Sequence, residues 1–462
     1  MRKISTLLLS AGLSLGAGAQ WAGFGPFASF AAGDDVRLVH TDDVTGDAVP
    51  DLTVLYTAGH TSFGLMAGRC DGSFGGVQVK PKEDNYFLSD IADLDGDGHA
   101  DMVISSYWNN GFRIFFGEGG GQLREGPFLA TGVHGRSIRC VDINKDGKMD
   151  VVSTTSGSGR TIHLHVFLGR GDGTFADKKT FPSVLDTCKD IIITDKNGDG
   201  RLDVVATSSF PWIVLFRQGS DGSFEPLYYP TWTPARVAFA DVNRDSREDM
   251  VLLYSSFDNT PGSDSLVVRL NTGGDDFAPS VKVQGLGEHR LRPSYLQVGD
   301  LDRDGFKDLL FNHHDGEGNP TDTLFYLRGR EGVQFEAPVF LVAPGTVLYS
   351  GLADLDGDGW PDLVVSTGGG KVNIALNRRG RQEEPGQFLV YPNPAGSWMM
   401  VQSGVKGKHS IRLYNAAGQL VRQEQREDMV SRVDTQQLPG GLYYVQVSTG
   451  EASRVQAVVV RH

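Results

Sequence analysis

Asp93-Leu-Asp95-Gly-Asp97-Gly98-His-Ala-Asp101, between Ile91-Ala92 and Met102-Val-Ile104, is the stretch that decides the fold. Carboxylates at positions 1, 3, 5 and 9 of a tight loop converge on one point. They repel one another unless a cation sits among them. Oxygen ligands on a flexible loop suit Ca²⁺ better than Mg²⁺, which requires stricter octahedral geometry. The 1-3-5 spacing with Gly at position 6 matches the opening of an EF-hand loop, where the Gly permits the turn that brings the position-7 carbonyl to the ion. Here the closing acid is an Asp at position 9, and the apolar flanks read as strands, so the loop joins two strands. A single copy would suit a metal-free Asp/Gly hairpin turn equally well.

The pattern recurs seven times, which favours metal over a plain turn. The copies at Asp93-Asp95-Asp97-Asp101, Asp300-Asp302-Asp304-Asp308 and Asp354-Asp356-Asp358-Asp362 carry four acids each. Those at Asp142-Asn144-Asp146-Asp150, Asp195-Asn197-Asp199-Asp203 and Asp241-Asn243-Asp245-Asp249 place a neutral oxygen donor at position 3, and the last has Ser246 where Gly is usual. The copy formed by Asp43, Asp47 and Asp51 has Thr45 and Ala48 at positions 3 and 6, so a weak or empty site is expected there. Up to seven Ca²⁺ ions are expected in all.

Successive motifs start 50, 49, 53, 46, 59 and 54 residues apart. A period near 50 is that of propeller blades, each a four-stranded sheet. After each loop come two strands (Asp101-Met-Val-Ile104 and Phe112-Arg-Ile-Phe-Phe116), then a Gly-rich turn and a strand opening with Phe. Examples of that opening are Gly173-Thr-Phe175, Gly222-Ser-Phe224 and Asp276-Phe277. A further strand, such as Ile138-Arg-Cys-Val141, leads into the next loop. The fold class expected is all-β.

The Asp loop with its Gly-rich turn and Phe resembles the FG-GAP/VCBS repeat family, as in integrin α-subunit propellers, over about residues 21 to 380. The resemblance implies a seven-bladed β-propeller over 20–378, with Ca²⁺ between the first and second strands of each blade. Phe24-Gly-Pro-Phe27 resembles the Phe-opening strand but has no loop before it, and the last repeat lacks that strand. Residues 24–30 are therefore expected to complete the last blade and remove an exposed edge.

Residues 1–19 read as a secretory signal peptide: Arg2 and Lys3, Leu7-Leu-Leu9, then Ala17-Gly-Ala19. Its apolar core is too short to span a bilayer, and no transmembrane segment is expected. A polar linker, 379–387, precedes residues 388–462, which read as a small Ig-like β-sandwich. Tyr391-Pro-Asn-Pro394, Ile411-Arg-Leu-Tyr-Asn-Ala-Ala-Gly-Gln-Leu420 and Leu438-Pro-Gly-Gly-Leu-Tyr-Tyr-Val445 make this segment resemble the C-terminal sorting domain of the bacterial type IX secretion system. That resemblance implies export by the type IX machinery to the outer-membrane surface or medium of a Gram-negative bacterium.

The formal charge is −14, or −16 without Arg2 and Lys3, and seven Ca²⁺ ions would offset most of it. The acidity thus belongs largely to the metal loops and argues against nucleic acid as a partner. Among the three cysteines, Cys140 and Cys188 lie on neighbouring innermost strands at offsets of opposite parity, so their side chains are expected to face opposite ways without a disulfide.

In such a propeller the loops opposite the metals vary most: 255–265, 285–293 and 312–322. Variable loops on one face mark a binding face. Candidate ligand-binding residues there are the aromatics Tyr107, Trp108, Phe210, Trp212 and Trp232, which equally suit blade-edge packing. Arg37, Arg136, Lys189 and Arg236, at the starts of innermost strands, suit a carboxylate or sulfate as well as local acids. His313-His314-Asp315 falls in an inserted loop and, with Arg292, is the best pairing for a lyase base and carboxylate clamp. His163 and His165 share one strand face, at metal-competent spacing or as the polar side of a blade. No nucleophile elbow, P-loop or zincin motif occurs. The expected function is a secreted or surface-held, adhesin-like module binding glycan or protein. The alternatives are a polysaccharide lyase or hydrolase and an architectural surface component.

Overall fold

The computed structural model describes residues 23–33, 35–56, 62–81, 89–106, 110–133, 135–157, 161–183, 188–208, 212–231, 234–254, 265–274, 276–283, 295–314, 319–377, 388–391, 398–403, 408–427, 430–448 and 453–461. Residues 1–19, 379–387, 255–264, 284–294 and 315–318, together with Tyr107, Trp108, Phe210, Trp232 and Arg292, lie outside them. The described residues are all-β.

Alternation of apolar strand and Asp loop folds into seven antiparallel four-stranded sheets, followed by a separate two-sheet unit. The first strands of the seven sheets are Val36–Asp42, Ser89–Ala92, Gly135–Val141, Cys188–Thr194, Pro234–Ala240, Leu296–Gly299 and Val347–Ala353. Each first strand lies against the first strands of the two neighbouring sheets, and the last lies against Val36–Asp42. The sheets are thus blades of a closed ring, with first strands innermost.

Every blade is sandwiched between two others, which explains why second strands are apolar on both faces. Asp51–Tyr56 is buried throughout, as is Asp362–Thr367. The main apolar clusters are interfaces between adjacent blades. Leu55 and Phe63 meet Met102 and Ile104; Val152 and Leu164 meet Val204 and Phe216; Val251 and Leu266 meet Leu309 and Phe325. Burying each such side chain contributes about 1.5–3 kcal/mol, so the ring is held by area spread evenly around it. Fourth strands face outward, where Val79, Phe340 and Val342 stay exposed.

Ala28–Ala31 supplies the fourth strand of the last blade, with Ala28 opposite Ile374 and Ala31 opposite Lys371. Phe24 bridges Asn377. The N-terminal segment therefore closes the ring as expected, and its Phe30 ring packs edge-on against Phe74 of the first blade at 5.6 Å.

Residues 388–460 form a β-sandwich with its own core. A three-stranded sheet orders Phe388–Tyr391, Trp398–Ser403 and Val430–Asp434. A four-stranded sheet orders Leu420–Arg426, His409–Asn415, Gly441–Ser448 and Ser453–Val460. Val401 and Val433 from one sheet meet Leu413, Val445 and Val458 from the other. The fourth strand sits in the second sheet, unlike the constant-type immunoglobulin partition, where it pairs with the first.

All three cysteines are free thiols. Cys140 packs against the core between the second and third blades, and Cys188 lies in the core between the third and fourth. Both therefore face the preceding blade, which corrects the expected opposite facing. A β-bulge between Cys188 and Asp190 adds one residue and reverses the parity. Separate inter-blade layers, rather than opposed directions, keep the two thiols apart.

Candidate metal centres

Each Asp loop is built by its own backbone. The position-1 acid accepts the N–H of position 6 in all seven copies: Asp43 from Ala48, Asp93 from Gly98, Asp142 from Gly147, Asp195 from Gly200, Asp241 from Ser246, Asp300 from Gly305 and Asp354 from Gly359, at 2.7–3.0 Å. Position 6 has positive φ throughout, which explains its preference for Gly. Ala48 and Ser246 hold that conformation at φ 65° and 66°. Position 4 is left-handed too, and there Lys145, Arg244 and Arg303 adopt it, a requirement the motif did not reveal.

Position 9 has a second role. Asp51, Asp101, Asp150, Asp203, Asp249, Asp308 and Asp362 are fully buried. In the last six, one carboxylate oxygen accepts the position-2 N–H, as Leu94 to Asp101 at 2.7 Å. In the first copy the donor is instead Thr45, one residue later, so that loop is locally shifted. In all seven the other oxygen accepts a backbone N–H from the end of the third strand: Gly68, Gly117, Gly169, Gln218, Asn271, Gly329 and Asn377. Those residues pair in turn with the Phe or Leu that opens the fourth-strand segment, as Gly169 with Phe175. The Gly-rich turn and the Asp loop are thus one hydrogen-bonded unit. In the last six copies, burial, then the neighbouring loop acids, lift the carboxyl above its ordinary 3.8, to about 6 at Asp101, Asp150, Asp203 and Asp308 and about 7 at Asp362, although the backbone donors pull it down.

The donor sets differ in their fit to a cation. In the second, sixth and seventh blades three carboxylates approach within 4.8 Å: Asp93, Asp95 and Asp101; Asp300, Asp302 and Asp304; Asp354, Asp356 and Asp362. Asp354 Oδ1 is buried without a hydrogen-bond partner, and an oxygen-seeking cation would satisfy it. The seventh blade therefore fits Ca²⁺ best, followed by the second, where Arg124 comes no closer to Asp95 than 3.9 Å. In the sixth, Arg328 engages both Asp302 and Asp304, and Arg330 engages Asp304 at 3.0 Å. A guanidinium there supplies the positive charge that an ion would bring. In the Asn copies the position-3 amide donates to the position-5 acid, as Asn197 to Asp199 at 2.8 Å, and Arg201 and Arg247 pair with Asp199 and Asp245.

Candidate ligand residues lie at the other end of the ring. Innermost strands run toward the Asp loops, so Arg37, Arg136, Lys189 and Arg236 begin them at the far end. Trp212 opens a third strand at that same end and is 38% exposed. Burial, then the charge of Arg236, lowers the pKa of Lys189. Arg236 stacks on Tyr295, whose hydroxyl donates to the Arg37 carbonyl at 3.1 Å. Sequence reasoning missed Tyr295, Tyr349, Arg139 and Asp190, because nothing local marks residues that meet across blades.

His313 and His314, expected in an inserted loop, instead end the strand Asp308–His314; Pro320 pairs with His314 and lengthens the hairpin. His165 is buried between Thr155 and Thr180, at 2.8 and 3.0 Å from its two ring nitrogens. Burial, then Lys178, lowers its pKa to about 3. Its stacked neighbour His163, at 6.1 Å, contacts Thr161. This pair is the polar side of a blade strand.

The model for FG-GAP-like repeats matches residues 93–153, 142–206 and 195–252, and that for the secretion-system C-terminal sorting domain matches 389–461. The chain is an FG-GAP-repeat β-propeller with a type IX secretion C-terminal sorting domain. It is a secreted or cell-surface protein. It is 22% identical over 456 residues to cartilage acidic protein 1 of Xenopus tropicalis, covering 83% of this chain and 66% of the relative. It is 28% identical over 162 residues to integrin alpha-5 of Xenopus laevis, covering 31% of this chain and 15% of the relative. The chain thus spans just under two thirds of the first relative and a small part of the second. The structure of BBS1N in complex with ARL6DN superposes with a TM-score of 0.54 at 11% identity, covering 78% of this chain and 99% of that one, a likeness of fold alone. Among the described residues no helix is long and apolar enough to cross a membrane.

Proposed function

We propose that this protein is a surface-held recognition module, a propeller fastened by Ca²⁺ in its Asp loops that binds glycan or protein through the opposite face. The observation that carries this reading is the division of labour between the two ends of the ring. The acids at one end are consumed by backbone hydrogen bonds and carboxylate clusters. Exposed cationic and aromatic side chains, Arg37, Arg136, Lys189 and Trp212, gather at the other.

The sorting domain engages the type IX machinery and delivers the propeller to the outer-membrane surface of a Gram-negative cell, with residues 1–19 as the signal for the first crossing. The Ca²⁺ reading is supported by the carboxylate clusters and the partnerless Asp354 Oδ1. Arrays of glycans and surface proteins, probed with the protein in Ca²⁺, test the recognition role. Binding that the face-opposite residues govern is expected, and silence on both arrays rejects it.

A further inference from the structure

Five innermost strands share an irregularity at their starts. The register shifts between Val36 and Leu38, Gly135 and Ser137, Cys188 and Asp190, Pro234 and Arg236, and Val347 and Tyr349. A bulge takes one residue out of the ladder and re-aims its side chain, and bulges concentrate beside functional sites. Three of the five released residues are Arg37, Arg136 and Lys189, all exposed, and Arg236 directly follows a fourth. The same backbone device thus delivers a cation in three blades to the end of the central channel away from the Asp loops, and in a fourth the cation follows the released residue.

Beneath these cations the wall is preorganised. Arg236 lies over the Tyr295 ring at 5.8 Å, Tyr295 meets Tyr349 edge-on at 4.8 Å, and Tyr295 is tied to the Arg37 carbonyl. Asp190, whose charge acts on Arg236, is shared between Arg139 at 2.9 Å and Ser137 at 3.0 Å. Asp90, deeper along the channel, accepts the Cys140 N–H at 2.7 Å. Burial and the charge of Arg236 both press Lys189 toward losing its proton. An anion placed beside Lys189 and Arg236 would be favoured by both charges.

We propose that this channel mouth binds the carboxylate or sulfate groups of an acidic glycan, with Lys189, Arg236 and Arg37 holding the anion and Trp212 offering a sugar-stacking surface. The inference rests on the recognition role proposed above and names the chemistry of its ligand. An acidic glycan is favoured over an acidic peptide because the cations share their end of the ring with an exposed indole, Trp212, two strands outward from Lys189 in the same blade, which suits anionic groups on a ring with an apolar face.

Calorimetric titration of the full-length protein in Ca²⁺ tests it, with oligogalacturonate and chondroitin sulfate as probes and neutral cello-oligosaccharide and polyglutamate as comparisons. The acidic glycans should bind, and the neutral one should not. Lys189→Gln and Arg236→Gln should each weaken binding about tenfold or more, as expected for losing a charge-assisted contact. Lys189→Arg should retain it, and Lys408→Gln in the sandwich should have no effect. Added salt should weaken wild-type binding, a readout independent of any variant's folding. Equal binding of the neutral glycan, tighter binding of polyglutamate, or full acidic-glycan affinity in both Gln variants overturns the inference while leaving a recognition role standing. No binding on any array overturns both.

Discussion

Asp362 accepts the Asn377 N–H at 2.6 Å through one oxygen and the Leu355 N–H at 2.8 Å through the other. One buried side chain thereby joins the Asp loop, the second strand and the end of the third. Asp362→Asn keeps the shape but presents an N–H₂ to one of two donors. Leaving a buried donor unmade costs roughly 1–3 kcal/mol, so a lower melting temperature is expected, in Ca²⁺ and in chelator alike. An unchanged melt in chelator would show that the residue serves only the ion.

The same burial predicts how the metal-free protein responds to pH. Asp101, Asp150, Asp203 and Asp308 titrate near 6 and Asp362 near 7 in the fold, against 3.8 when exposed. Their folded-state pKa is raised, so the folded state binds more protons than the unfolded one between about pH 4 and 7. Stability should therefore fall as pH rises from 5 to 7 in EDTA. Added Ca²⁺ should flatten that fall by balancing the ionised acids. Thermal melts across this range check it, and a metal-free protein that gains stability with pH contradicts it.

Ca²⁺ should not fill the seven loops equally. EDTA should lower the melting temperature by several degrees, because a ligand at 100 times its Kd adds about 2.7 kcal/mol per site. Asp93→Asn and Asp354→Asn should each remove a tight ion in a chelator-competition titration. Asp302→Asn should leave the count of tight ions unchanged, since Arg328 already occupies that acid. Arg328→Leu, which restores the apolar type found at Leu168, Leu270 and Leu376, should add one. Seven equal sites in the wild type would refute this ranking.

Ring closure depends on a strand from the opposite end of the chain. Deleting residues 23–31 removes the pairing of Ala28–Ala31 with Lys371–Ala375 and the Phe30–Phe74 contact. It leaves a bare strand edge on the last blade. Lower thermal stability and concentration-dependent association by light scattering are expected. A monomer melting like the parent would mean that the inter-blade cores close the ring unaided.

The seven Asp loops and their period were legible because all that makes them lies within nine residues. A 1-3-5-9 set of acids and a left-handed turn at position 6 are local chemistry, and repetition converts local chemistry into architecture. Even the closing strand could be read, since Phe24-Gly-Pro-Phe27 is a repeat fragment without its loop. Only the folded ring decides the rest. Arg328 reaches Asp302 from 26 residues away, Tyr295 reaches Arg37 from 258 away, and a one-residue bulge reverses which blade Cys188 faces. These depend on register and on neighbours brought together by closure, and a bulge has no residue signature of its own. Residue order thus determined where acids cluster and how many blades exist. Tertiary structure determined which clusters keep room for an ion and where the chain gathers its positive charge.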